Sequence, residues 1–113
     1  MERKPRLLFV CGRNQWRSPT AEWLYRRDDR LEVRSAGTGA ASRHRLSLAD
    51  VLWADLILVM ETKHRAWIIT NFRSINLPPI ETLDIPDDYG YLDEELIDLL
   101  RRSAEPHLRR LLG

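Results

Sequence analysis

The chain has 113 residues, 43% of them hydrophobic and 31% charged with both signs intermixed, a composition that suits one folded domain over 1–113 and excludes disorder and a second core. A formal net charge of +1 excludes steering of the whole molecule toward nucleic acid or a membrane surface, so recognition has to rest on local charge. One cysteine, Cys11, excludes an internal disulfide and a thiolate metal centre, and with the polar start Met1-Glu2-Arg3-Lys4-Pro5, which lacks a secretory pattern, it points to a cytoplasmic protein.

The first predicted element is the apolar run Leu7-Leu8-Phe9-Val10, short and continuous as in a strand buried on both faces. Cys11 to Arg17 follows as a loop, and a helix is predicted from about Pro19 to Arg27, with Ser18 as its cap and Pro19 at its first position. Glu32-Val33-Arg34-Ser35 is a second strand that ends in the turn Ala36-Gly37-Thr38-Gly39. Ser47 is expected to cap a helix reaching about Ala54, before the strand Leu56-Ile57-Leu58-Val59-Met60. A helix from Lys63 to Phe72 should turn Trp67 and Ile68 to the core, and a weak fourth strand falls near Glu81-Thr82-Leu83. Leu92, Leu96, Leu99 and Leu100, continued by Leu108, Leu111 and Leu112, recur at helical spacing, with Pro106 expected to kink or interrupt the helix. No stretch approaches the roughly 18 apolar residues of a spanning helix. Strands alternating with helices predict an α/β fold, a parallel sheet with right-handed crossovers and helices on both faces.

In such a sheet ligands gather beyond the carboxyl ends of the strands, where Cys11 stands. Cysteine followed by Arg17 is a weak motif by spacing alone in a chain so rich in arginine. Its context is stronger. A strand, a short loop and a helix start form a cradle of backbone N–H groups suited to a phosphate dianion, built here by Gly12, Arg13, Asn14, Gln15 and Trp16. A positive cradle favours a thiolate beneath it, so Cys11 can attack phosphorus, and the planar fork of Arg17 can grip two phosphoryl oxygens. Ser18 is placed to donate a hydrogen bond to the sulfur. Without this context a cysteine after a buried strand is ordinarily packing, and Asp87 and Asp88 after Pro86 are ordinarily solvated turn residues.

The chain resembles the low-molecular-weight protein tyrosine phosphatases. The likeness is carried by Cys11, Asn14, Arg17, Ser18, Pro19, Ala21 and Glu22, by Ser35-Ala36-Gly37-Thr38, by Val59-Met60 and by Ile85-Pro86-Asp87-Asp88-Tyr89, in that order along nearly the whole chain. The resemblance implies a three-layer sandwich around a four-stranded parallel sheet in the order 2-1-3-4. It also implies a phosphocysteine formed on Cys11, a phosphoryl group held by Arg17, a loop fixed by Asn14 and a general acid and base at Asp87, with no metal or other cofactor. The implied partner is a phosphoester substrate, a phosphotyrosine protein or a small phosphorylated molecule; neither membrane nor nucleic acid is expected.

Three positions depart from the pattern. Arg13 stands where a glycine is usual, with Gly12 before it. Trp16 replaces the second cysteine, which removes a protective disulfide and exposes Cys11 to irreversible oxidation. The acid loop reads Asp87-Asp88-Tyr89 without proline, so either carboxylate could be the acid, and Pro86 and Tyr89 set the register that favours Asp87. Because the segment from Gly39 to Arg45 lacks an aromatic residue, Trp16, Tyr89 and Tyr91 are the candidate walls for a phenyl ring, while Arg43, His44 and Arg45 could favour a second phosphate or a nucleotide. His44, His64 and His107 have no ligand spacing and read as surface or partly buried residues, Trp23, Trp53 and Trp67 as core or subunit contacts, and Arg101, Arg102, Arg109 and Arg110 as a solvated helix face. Competing functions are a phosphatase or phosphodiesterase for nucleotides and small phosphoesters, an arsenate reductase served by an external thiol, and a phosphate-binding module. The last needs no acid, so the pairing of Cys11 with Asp87 argues against it.

Overall fold

A computed structural model describes residues 3–113; Met1 and Glu2, the first part of the polar N-terminal segment, lie outside them. Among the described residues eight elements follow in order: β1 (Arg6–Cys11), α1 (Arg17–Tyr25), β2 (Glu32–Gly37), α2 (Leu48–Trp53), β3 (Leu56–Val59), α3 (Thr62–Asn71), β4 (Ile80–Thr82) and α4 (Glu94–Leu112). The strands form one sheet in the order β2-β1-β3-β4 with every neighbour parallel, as expected.

The apolar run of β1 explains its central place. Side chains alternate across a strand, so Leu7 and Phe9 face one layer while Leu8 and Val10 face the other. Leu7, Phe9, Leu58 and Met60 pack with Leu96, Leu100, Ala104 and Leu108 of α4 and Ala21 and Tyr25 of α1. Leu8, Val10, Ile57 and Val59 pack on the opposite face with Val51 of α2 and Ile68 of α3. Each fully buried side chain of this size contributes about 1.5–3 kcal/mol relative to exposure, which makes the two-sided strand the centre of both cores.

The helices differ from expectation at their ends. Helix α1 begins at Arg17, and Ser18 lies inside it rather than capping it, because its hydroxyl is engaged by Cys11 and Asn14. Pro19 therefore occupies the third helical position, still within the first turn, where no N–H is needed. Ser47 does cap α2, accepting from the Asp50 amide while Asp50 Oδ2 accepts from the Ser47 amide. Helix α4 passes through Pro106 without ending: that residue is exposed, on the polar side of a helix anchored by Leu96, Leu100, Ala104 and Leu108. Leu92 precedes α4 instead of joining it, with a left-handed backbone (φ 62°) and its N–H on Thr20 Oγ1 of α1.

Candidate active site

The carboxyl ends of β1, β2 and β3 meet at one rim, with Cys11 paired in register to Gly37. Beyond Cys11 the chain turns into α1 through residues 12–16, and what fixes this turn is the orientation of its carbonyls. Cys11 O accepts from the Thr38 amide at 3.0 Å, Gly12 O from the Gly39 amide at 2.8 Å and Arg13 O from the Arg43 amide at 3.3 Å. With the carbonyls held outward, the amides of Gly12, Arg13, Gln15, Trp16 and Arg17 have no protein acceptor among the described residues and remain available to an anion. Gly37 permits this closeness: a Cβ there would lie 2.8 Å from the Asn14 amide nitrogen and closer still to Ser42.

Asn14 takes the left-handed conformation (φ 52°), so the turn needs no glycine at Arg13. Its buried side chain donates to Ser18 Oγ and to Ser35 Oγ, both at 2.9 Å, and accepts from the His44 amide at 3.2 Å. Ser35 Oγ in turn donates to Glu22, which joins α1 to β2. The Asn14 amide lies 3.3 Å from the Cys11 sulfur, and Ser18 Oγ lies 2.9 Å from it.

Arg17 is almost completely buried. Its Nη1 donates to Glu61 Oε2 at 2.7 Å and to the Ile85 carbonyl at 2.8 Å. Nε is 3.6 Å from Asp87 Oδ1, close enough for attraction and too long for a hydrogen bond. The edge of the fork made by Nε and Nη2 thus keeps its donors free of protein acceptors among the described residues. Hydrogen bonding and charge from Arg17 hold the Glu61 carboxyl below the usual carboxylate range. The Ile85 amide donates to Met60 O at 2.9 Å, so this one buried residue ties the Asp87 loop to both β3 and Arg17.

Cys11, Gly12, Arg13, Gln15, Trp16, Arg17, Thr38, Gly39, Lys63, His64, Trp67 and Asp87 enclose a cleft of about 580 Å³. Asn14 and Ser18 lie behind it as buried supports. Asp87 is exposed at the cleft mouth; Asp88 is exposed and does not line it. Tyr89 packs partly buried against the core of α1 and α4, and Tyr91 opens into a separate hollow with Asn14, Trp23 and Arg34, so the aromatic walls of the cleft are Trp16 and Trp67.

Sequence reasoning misses three residues of the site: Glu61 is not singled out, His64, expected at the surface or partly buried, is buried, and Trp67, expected in the core or a subunit contact, borders the cleft. Glu61 and His64 follow the carboxyl end of β3 as Glu-x-x-His at the start of α3, and that position, one strand over from Cys11, is the signal that could have found them. His64 is buried, its Nδ1 accepts from the Glu61 amide at 3.1 Å, and its pKa is pushed down to about 4, first by burial and then by the charge of Arg17.

The chain matches no family model and no curated protein. Solved structures resemble it over nearly its whole length. The arginine phosphatase YwlE from Geobacillus stearothermophilus is 27% identical with a TM-score of 0.70, covering 96% of each chain. The low molecular weight protein tyrosine phosphatase SP-PTP from Streptococcus pyogenes is 18% identical with a TM-score of 0.76, covering 96% of this chain and 94% of its own. The tyrosine phosphatase Wzb from Escherichia coli K30, solved with phosphate, is 23% identical with a TM-score of 0.72, covering 96% and 99%.

Proposed function

We propose that this chain, whose fold is that of the low-molecular-weight protein tyrosine phosphatases, is a phosphoric monoester hydrolase working through Cys11. The observation that carries the reading is the convergence, at one strand end, of a sulfur, a set of free amides and the open edge of a buried arginine. Residues 1–113 act as one domain, in the cytoplasm, where a lone cysteine keeps its thiol.

The Cys11 thiolate attacks phosphorus and the bond from phosphorus to the leaving oxygen breaks; Asp87 gives that oxygen its proton. Asp87, now a carboxylate, takes a proton from water as the water oxygen bonds to phosphorus and the bond to sulfur breaks, returning thiolate and inorganic phosphate. Gly12, Arg13, Gln15, Trp16 and Arg17 bind the phosphoryl oxygens through their amides, and the Arg17 fork bridges two of them, most strongly as charge builds in transfer. Before substrate arrives Asp87 lies 3.6 Å from Arg17 Nε; a bound phosphoryl group takes over that cation, and the carboxyl, receiving its proton from solvent, is free to serve the leaving group. Asn14 and Ser18 fix the loop and the sulfur, and Tyr89 supports the acid loop from the core.

Phosphotyrosine is the favoured substrate, its ring held between Trp16 and Trp67. Phosphoarginine is the second reading, favoured by the 27% identity to an arginine phosphatase. The deciding experiment is metal-free hydrolysis of para-nitrophenyl phosphate, phosphotyrosine, phosphoarginine and nucleoside monophosphates, with orthovanadate and Cys11→Ser as controls. Vanadate-sensitive turnover that Cys11→Ser abolishes is the expected result. Phosphate binding without turnover in fresh, reduced protein would sink the phosphatase reading in favour of external-thiol arsenate reduction or a binding module.

A further inference from the structure

His64 is 2% exposed, and its Nε2 is buried without a hydrogen-bond partner among the described residues. The ring's proton can be assigned from its other nitrogen. A backbone N–H can only donate, so Nδ1, which receives the Glu61 amide at 3.1 Å, carries the lone pair and the neutral ring carries its proton on Nε2. The nearest carboxylate among the described residues, Glu61 Oε2, is 3.9 Å away and already receives Arg17 Nη1 at 2.7 Å. Buried donors without acceptors are rare and call for an explanation.

The ring belongs to the cleft wall with Cys11, Gly12 and Arg17, and Nε2 would lie 3.7 Å from a Cβ on Gly12, the first residue of the anion cradle. We propose that His64 is a further substrate-contacting residue, an uncharged donor whose Nε2–H bonds an oxygen of the phosphoryl group seated over Cys11. The charged groups around it are Arg17 from α1, Lys63 and Glu61 at the start of α3, and Asp87 from the loop before α4. Two of these are cations beside a buried ring, and with burial they keep the imidazole neutral through the working pH range. A neutral donor adds a hydrogen bond to the dianion without competing with Arg17 for Glu61.

The inference rests on the phosphatase reading for the chemistry of its ligand, and binding of inorganic phosphate tests it without turnover. His64→Asn offers an amide oxygen to the Glu61 N–H in place of Nδ1 and has nothing at the Nε2 position; His64→Gln reaches that position with an amide nitrogen. Calorimetry with inorganic phosphate should show affinity about 10-fold to 100-fold weaker in His64→Asn and partly recovered in His64→Gln, the size of one hydrogen bond to a charged group. In ¹⁵N-histidine-labelled wild-type protein the His64 Nε2–H proton should move downfield when phosphate is added. Unchanged phosphate affinity in a folded His64→Asn protein, or an Nε2–H signal indifferent to phosphate, overturns the proposal and leaves His64 as a helix cap. Wild-type protein that binds phosphate yet hydrolyses no phosphoester would end the phosphatase reading while the same variants still decide the role of His64.

Discussion

The Cys11 sulfur and the Ser18 hydroxyl oxygen lie 2.9 Å apart, and Asn14 Nδ2 donates to that same oxygen at 2.9 Å. Since an amide nitrogen cannot accept, Ser18 spends a lone pair on Asn14 and keeps its proton for the sulfur or for the Ala36 carbonyl, which at 3.3 Å is the more distant choice. A hydrogen bond to a departing thiolate helps the second chemical step more than the first. Ser18→Ala should therefore lower kcat about 10-fold or more, and rapid mixing with para-nitrophenyl phosphate should show a burst approaching one nitrophenol per site. Unchanged kcat without a burst would mean that the hydroxyl serves the loop alone.

Asp87 and Asp88 are neighbours with different surroundings: only Asp87 lines the cleft and faces Arg17. Asp87→Asn should lower kcat about 100-fold, most for substrates whose leaving oxygen is a poor leaving group, while Asp88→Asn stays within about twofold of wild type. Comparing para-nitrophenyl phosphate with phenyl phosphate in both variants reads the assignment, and the reverse pattern would move the acid to Asp88.

The guanidinium of Arg17 is pinned by Glu61 and Ile85 on one nitrogen so that its other edge stays open. A lysine cannot be held on one side while gripping two oxygens on the other. Arg17→Lys should cost about 100-fold or more in kcat/KM, and Glu61→Gln, which keeps an acceptor and loses the charge, only about 10-fold. Competitive inhibition by orthovanadate should weaken in the same order; equal effects of the two substitutions would mean that the charge of Glu61 matters as much as the fork.

Acid should weaken the fold through His64. The folded protein holds this ring neutral down to about pH 4 whereas an unfolded chain takes up the proton near 6.5, so stability falls as pH falls between those values. Across that window the loss from this one group is about 3 kcal/mol. Urea unfolding at pH 7 and pH 4.5 should show wild type losing about 2–3 kcal/mol more than His64→Asn. Parallel losses would place the acid sensitivity elsewhere.

The layers of the fold were legible because the run from Leu7 to Val10 and the run from Leu56 to Val59 are apolar without alternation, which only strands covered on both faces require. The helix ends were less so. Ser18 beside Pro19 looks like a cap until Cys11 and Asn14 claim its hydroxyl, and Pro106 looks like a break until the long apolar stripe of α4 carries the helix past it. In the site, Cys11, Asn14, Arg17 and Ser18 are close in sequence, and local chemistry brings them to attention. His64 and Trp67 line the cleft, and Glu61 holds Arg17 beside it, only because β3 lies beside β1, a relation no short motif records, and Tyr91 is drawn away by the same long-range packing.

The aromatic walls of the cleft also make the protein its own optical probe. Of its four tryptophans, Trp16 and Trp67 border the cleft, while Trp23 and Trp53 do not. An indole stacked against a phenyl ring or beside a dianion emits differently from one in water, so occupancy should be readable as intrinsic emission without any label. With Trp23→Phe and Trp53→Phe removing the silent background, a titration with vanadate or phosphotyrosine would follow the cleft directly.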